Sequence, residues 1–172
     1  DNSLTRLNRV TGLSDVGIST IRSNPEFNIV LVGYVNGNLD IIQNSTITNI
    51  TDIKNSSVVG DKRIRHITFY ENSAFLSTGV GIIDFNLERQ EVKDTYNILP
   101  TGAISINETA ILNDTLFAAT EDGLYMGSLS RDLTIFNNWM QDLSIPEPFG
   151  EVRNVATNLG NTFINQPEAE PA

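Results

Sequence analysis

A repeat of about 44 residues constrains this chain more than any other feature. The glycines Gly37, Gly81 and Gly123 recur at intervals of about 44 and 42 residues, and the apolar positions Leu31, Phe75, Phe117 and Phe163 step in parallel with them. The first copy carries Ile18 and Ile21, a turn at Asn24-Pro25, the apolar run Ile29 to Val32, and then Gly37. The second runs from Ile64 and Ile67 through Glu71-Asn72-Ser73 to Phe75 and Gly81, and the third from Ile106 through Asn113-Asp114 to Phe117 and Gly123. A fourth copy begins at Val152, turns at Gly160-Asn161 and stops after Ile164. Short β-branched and aromatic runs separated by Gly, Asn, Asp and Ser are strand-and-turn chemistry, and a period of 40–45 residues is that of a four-stranded propeller blade.

The fold class expected is therefore all-β, with about three and a half antiparallel blades in residues 1–165 and boundaries near 17, 63, 105 and 151. Each repeated glycine is read as the turn from the second strand into the third, where φ above zero penalises a Cβ. Outer strands with one wet face are expected at Thr46–Thr51, Glu91–Tyr96 and Leu133–Phe136, where polar and apolar residues alternate. The core expected is Ile18, Ile21, Leu31, Val32, Ile41, Ile64, Ile67, Phe75, Leu76, Ile82, Phe117, Ala118, Leu124 and Phe163. The Pro-rich segment 166–172 reads as a flexible tail or linker. Three and a half blades cannot close a ring, so the missing blades are expected from a parent chain or from a second copy. The opening Asp1-Asn2-Ser3, with no basic and then apolar stretch, leads to the expectation that the segment begins inside a longer protein.

Composition excludes several functions. A net charge of −10 opposes nucleic acid, which needs clustered Lys and Arg to release counterions, and the one short basic cluster, Lys62, Arg63 and Arg65, reads as a solvated strand edge. The apolar fraction of 40% with 19% charged residues is globular, and the longest apolar run, residues 27–35, is too short to span a bilayer. Cys is absent and His66 is the only histidine, so thiolate sites and His-rich metal centres have no ligands and no cofactor is expected. His66 aligns with Thr20, Glu108 and Asn154, and a slot that accepts such varied polar residues reads as solvated, without catalytic duty. The carboxylates Glu121 and Asp122 lie together in a loop between second and third strands, but the acid pair is peculiar to one blade and reads as a surface turn. Asn36 to Asp40 only faintly suggests a calcium loop. Tyr34, following Gly33, reads as a ring at the mouth of a central channel. No enzymatic activity is expected, and the candidate ligand or partner face comprises Tyr34, Asn36, Arg63, Glu121 and Asp122.

The segment Gly12-Leu13-Ser14 to Ile18, followed by Ser19-Thr20-Ile21, together with Ala119-Thr120-Glu121-Asp122-Gly123-Leu124, resembles the two-component-regulator propeller repeat. The middle blade, Ala74 to Phe85 with Glu91 to Tyr96, resembles more particularly the PorZ-like N-terminal propellers of Bacteroidetes. Leu31, Phe75 and Phe117 stand where the regulator repeat carries Trp, a departure toward the PorZ-like branch. The PorZ-like resemblance implies an exported, outer-membrane-associated module at the periplasm or cell surface that supports type IX secretion and cargo attachment. Its expected partner is an envelope protein, either a secretion component or a surface protease. The regulator resemblance implies instead an ectodomain that senses oligosaccharides.

Overall fold

Strand alternation and hairpin chemistry assemble the chain into a row of twisted antiparallel sheets, seen in a computed structural model that describes residues 6–167. The first sheet contains β1 (Ile18–Asn24), β2 (Ile29–Tyr34), β3 (Leu39–Gln43) and β4 (Thr46–Ile50), in that spatial order. A one-turn helix, α1 (Asp52–Asn55), leads to the second sheet of β5 (His66–Tyr70), β6 (Ser73–Thr78), β7 (Gly81–Asn86) and β8 (Glu91–Tyr96). The third comprises β9 (Ile106–Leu112), β10 (Thr115–Thr120), β11 (Gly123–Ser128) and β12 (Trp139–Gln141), and a two-stranded sheet of β13 (Asn154–Asn158) and β14 (Asn161–Asn165) follows. Consecutive strands pair within each sheet, and the first strands β5, β9 and β13 pack side by side along one line. This is an open arc of propeller blades, here numbered 1 to 4.

Two-residue hairpins set the registers. Asn44-Ser45, Asn113-Asp114 and Leu159-Gly160 all adopt positive φ at both central positions, the turn that matches the right-handed twist of the flanking strands. At the other end of the blades, the Thr78 hydroxyl donates to the Gly81 carbonyl (2.7 Å) and accepts from Val80 N–H (3.1 Å). Thr120 repeats this arrangement with Gly123 and Asp122. Gly81 has φ of 113°, and a Cβ there would lie 2.6 Å from the Tyr96 carbonyl oxygen. Glycine is demanded both by the dihedral and by the neighbouring backbone.

Three apolar clusters fill the spaces between sheets. Leu31, Leu39 and Ile41 of blade 1 meet Ile64, Ile67 and Leu76 of blade 2. Phe75, Ile82 and Tyr96 of blade 2 meet Ile106, Leu116, Ala118 and Trp139 at blade 3. Ala119 and Leu124 of blade 3 meet Val152 and Val155 of the last sheet. Burial of this kind stabilises by roughly 25 cal/mol per Å² of apolar surface removed from water.

Three residues of the expected core are exposed: Ile18 (45%), Ile21 (51%) and Phe163 (57%). Their counterparts show why. Ile64, Ile106 and Val152 occupy the slot of Ile18 and are fully buried against the preceding blade, whereas no blade precedes β1 in the described arc. The slot of Leu31 and Phe75 faces the following blade, and among the described residues no strand follows β14. Phe117, facing a sheet of only two strands, is half-buried. The outer strands β4 and β8 form as expected, but the expected strand Leu133–Phe136 does not. That segment makes a turn and a short 3-10 turn, and the outer strand is supplied by β12, anchored where Trp139 Nε1 donates to the Leu133 carbonyl (3.0 Å). The expected flexible tail is partly anchored, since Gln166 Nε2 donates to the Glu147 carbonyl (2.8 Å), while residues 168–172 of that tail lie outside the described residues.

Candidate functional site

The second strand of each blade ends, and the first strand of the next blade begins, at the same end of the arc. Turns 35–38, 79–80 and 121–122 therefore line up with the inter-blade loops 13–17, 60–65 and 102–105 to form one loop-built face. Asn36, Arg63, Glu121 and Asp122 all belong to it. Asn36 Nδ2 donates to Asp15 Oδ2 (2.7 Å), and the Lys54 ammonium reaches the same oxygen at 2.7 Å. These contacts, with the Val16 N–H, hold the Asp15 carboxyl well below the usual carboxylate range; the Lys54 hydrogen bond is the largest cause. Arg63 is exposed, its N–H bonded to Asp61 Oδ1 (3.0 Å). Glu121 and Asp122 are exposed, and Glu121 Oε1 accepts from Ser105 N–H at 3.3 Å.

Tyr34 does not join them. Its ring is fully buried and its hydroxyl donates to Asp40 Oδ2 at 2.6 Å, so the residue is a strut within blade 1 and lines no channel mouth. Burial and the Asp40 carboxylate push the phenol far above its ordinary range. Asp40 also accepts from Ser14 N–H (2.8 Å) and from Asn49 Nδ2 (2.8 Å), so the Asn36 to Asp40 stretch has its carboxylate committed to the protein's own donors. Among the described residues no group of three or more His, Asp or Glu side chains is arranged to hold a metal. The basic cluster is also committed. Lys62 Nζ donates to the Lys54 and Ser56 carbonyls at the end of α1 (3.1 and 2.7 Å), and Arg65 pairs with Asp61 (2.7 Å) while reaching Ser105 and the Ile106 carbonyl of blade 3.

A polar ladder along the first strands escaped the reading of the sequence. Ser19 Oγ donates to the Ile64 carbonyl (2.7 Å), Arg65 Nη1 to the Ile106 carbonyl (3.4 Å) and Asn107 Nδ2 to the Val152 carbonyl (2.9 Å). These are equivalent donors in successive repeats, each reaching the next blade. One position further on, His66 Nε2 meets Glu108 Oε1 at 3.1 Å, with side chains only 16% and 19% exposed. Glu108 Oε2 accepts from Asn154 Nδ2 (2.9 Å) and Val155 N–H (3.3 Å). His66, expected to be solvated, is thus half-buried in a strut joining blades 2, 3 and 4. Burial pushes its imidazole below 6.5, the Glu108 carboxylate opposes that shift, and Arg22 adds to it.

Residues 1–140 match the sequence profile of the type IX secretion (TSS9) PorZ N-terminal β-propeller domain. The chain belongs to that family. Among solved structures, PorZ of Porphyromonas gingivalis, an essential bacterial surface component of the type IX secretion system, superposes with a TM-score of 0.80 at 23% identity, covering 93% of this chain and 21% of PorZ. The extracellular domain of the hybrid two-component system BT3049 from B. thetaiotaomicron gives 0.65 at 18% identity, covering 94% of this chain and 21% of that one. The extracellular domain of BT4673 from the same organism gives 0.65 at 16%, covering 90% and 20%. The chain therefore spans about a fifth of these proteins, and at such identities the likeness is one of fold. No curated protein sequence matches it. Like the PorZ and regulator propellers, the chain is a β-propeller module, and no helix among its described residues is long and apolar enough to cross a membrane.

Proposed function

We propose that this PorZ-family propeller is a non-catalytic interaction module of an exported surface protein, supporting type IX secretion and cargo attachment by docking an envelope protein on its loop-built face. The family match over residues 1–140 carries this reading. Its support in the geometry is that the turns of the face are fixed by Thr78, Thr120 and the glycines beneath them. Arg63, Glu121 and Asp122 stand exposed above that rigid rim. Preorganised loops bearing exposed charge suit protein recognition, because little ordering entropy is lost on docking.

The test is affinity capture from detergent-solubilised envelopes, comparing wild type with a variant carrying Arg63→Glu, Glu121→Lys and Asp122→Lys. Recovery of a secretion component or surface protease by the wild type, lost in the charge-reversed variant, is the expected result. A second reading, oligosaccharide sensing, draws on the likeness to the BT3049 and BT4673 extracellular domains. Capture of nothing specific, together with a rise in melting temperature on adding oligosaccharides, would replace the first reading with the second.

A further inference from the structure

Blades 1 and 2 place an aspartate at the same step, three residues after the turn glycine, but satisfy it differently. Asp40 has donors on both oxygens: Ser14 N–H and Tyr34 OH on Oδ2, and Asn49 Nδ2 on Oδ1. Asp84, only 1% exposed, has Oδ2 bonded to Tyr96 OH (2.7 Å) and Lys93 Nζ (3.0 Å), while Oδ1 is buried with no donor at all. The cause lies across the strand pair. Asn49 stands opposite Asp40, whereas Asp94 stands opposite Asp84 and has no side-chain N–H to give. A buried carboxylate oxygen without a donor bears its desolvation cost uncompensated.

Asp84 lies in the wall of a cleft of about 280 Å³ on the side of blade 2 turned toward blade 3, lined also by Tyr70, Phe75, Lys93, Tyr96 and Leu129. Tyr70 OH crosses to Asp114 Oδ1 (2.9 Å) in the β9–β10 turn and ties the two blades together at its edge. Phenol and phenyl rings beside a carboxylate favour an organic cation. Glu71 in the cleft wall, Asp94 and Asp132 near the Tyr96 hydroxyl, and a net charge of −10 add attraction of the same sign against a single local ammonium. That ammonium, Lys93, shows what the carboxylate accepts. Its side chain is 53% exposed, so its long stem can swing outward and yield its place.

We infer that the cleft between blades 2 and 3 binds a primary alkylammonium group, which shares or takes over the Asp84 carboxylate in competition with Lys93. The chemistry is common to two sources, the side chain of a lysine on a partner protein and a free amine. Two consequences follow from the competition. Asp84→Asn removes the anchoring charge and weakens binding by about tenfold or more, the worth of one charge-assisted contact. Lys93→Met keeps the apolar stem but removes the internal competitor, so affinity rises, the opposite of what loss of a merely structural ion pair would do.

The experiment is a titration of the isotope-labelled chain, followed through the amide resonances of Phe75, Asp84 and Tyr96. The probes are Nα-acetyl-lysine methylamide, n-butylammonium and the uncharged norleucine analogue. Saturable shifts with the ammonium probes, absent with norleucine, are expected. Tighter binding of the lysine probe would assign the group to a protein partner, and equal binding would assign it to free amines; both uphold the site. Absence of saturable shifts, equal binding of norleucine, or unchanged affinity in Asp84→Asn would overturn it. Should Asp84→Asn lose its dispersed spectrum, Lys93→Met decides alone, and an affinity equal to or below wild type refutes the inference.

Discussion

Removing the Glu108 carboxylate should loosen the arc at two blade junctions at once. Glu108→Ala takes away the partner of His66 Nε2 (3.1 Å) on one side and of Asn154 Nδ2 (2.9 Å) and Val155 N–H (3.3 Å) on the other. The His66 contact is largely sheltered and near pH 7 joins a neutral ring to a charge, worth about 1–2 kcal/mol. The Asn154 side chain is exposed and the Val155 contact is long, so together they add about 1 kcal/mol. A total of about 2–3 kcal/mol lowers the melting temperature of a domain this size by roughly 5–10 °C. Glu121→Ala is the control: an exposed carboxylate with one long hydrogen bond, whose loss should stay within about 0.5 kcal/mol. Thermal unfolding followed by circular dichroism measures both, and a cycle with Asn154→Ala should return a coupling of about 0.5 kcal/mol or more. Equal melting temperatures for Glu108→Ala and Glu121→Ala would refute the claim that the ladder carries inter-blade stability.

The His66 ring, being the only histidine, gives an unambiguous proton NMR titration. Burial chiefly holds it below 6.5 in the folded chain, while the unfolded chain titrates near 6.5. As pH falls from 6.5 toward the folded value, the unfolded state gains its proton first and stability declines. Glu108→Gln should lower the folded titration further, and a midpoint at or above 6.5 would contradict this account. Gly81→Ala should cost about 3 kcal/mol or more, because φ of 113° and a Cβ 2.6 Å from the Tyr96 carbonyl act together. Gly160→Ala, with φ of 80° and open space around it, should cost only about 1 kcal/mol, and chemical denaturation giving equal losses would show that the carbonyl contact is unimportant. Leu159→Asn should stabilise by about 0.5–1 kcal/mol, since Leu159 holds φ of 49° while 91% exposed and Asn-Gly suits that turn; an unchanged denaturation midpoint would count against turn strain.

The blades were legible because their determinants are local. A turn glycine, a two-residue hairpin and an alternating strand each show in a few neighbouring residues, and Gly37, Gly81 and Gly123 do hold positive φ between second and third strands. What depends on an adjacent blade was not legible. Ile18, Ile21 and Phe163 have core-type side chains in core-type slots, and they are exposed where no neighbouring sheet among the described residues covers them. Tyr34 followed a glycine near a turn and looked available, but its partner Asp40 lies six residues away across the hairpin. Trp139 was overlooked as the anchor of an outer strand because β12 has only three residues, too few to display a period. Of the candidate face, the sequence order of turns and loops was enough to bring Asn36, Arg63, Glu121 and Asp122 to one end of the arc, since hairpin topology alone dictates which loops share an end.

His66 shows a subtler reason for misreading. Alignment of repeats compares a slot with itself, and the variety of Thr20, His66, Glu108 and Asn154 suggests indifference. In the arc the last three do not stand in for one another: His66 touches Glu108, and Glu108 touches Asn154. Variation in such a slot is complementarity spread along the sequence. The adjacent slot behaves differently, since Ser19, Arg65 and Asn107 all donate to a backbone carbonyl of the next blade, and any side chain with a reachable N–H or O–H can do that. One row of contacts therefore joins any blade to any other, while the other specifies order. Exchanging the first strands of blades 2 and 3 would preserve the donors to the carbonyls but set His66, and no longer Glu108, beside Asn154 and the Val155 N–H. The neutral ring has at most one acceptor nitrogen for those two donors, where the carboxylate offers several lone pairs. The ladder thus distinguishes the native blade order from a permuted one by hydrogen-bond capacity, and the buried slot where β5 carries Ile67 and β9 carries Thr109 adds to that discrimination.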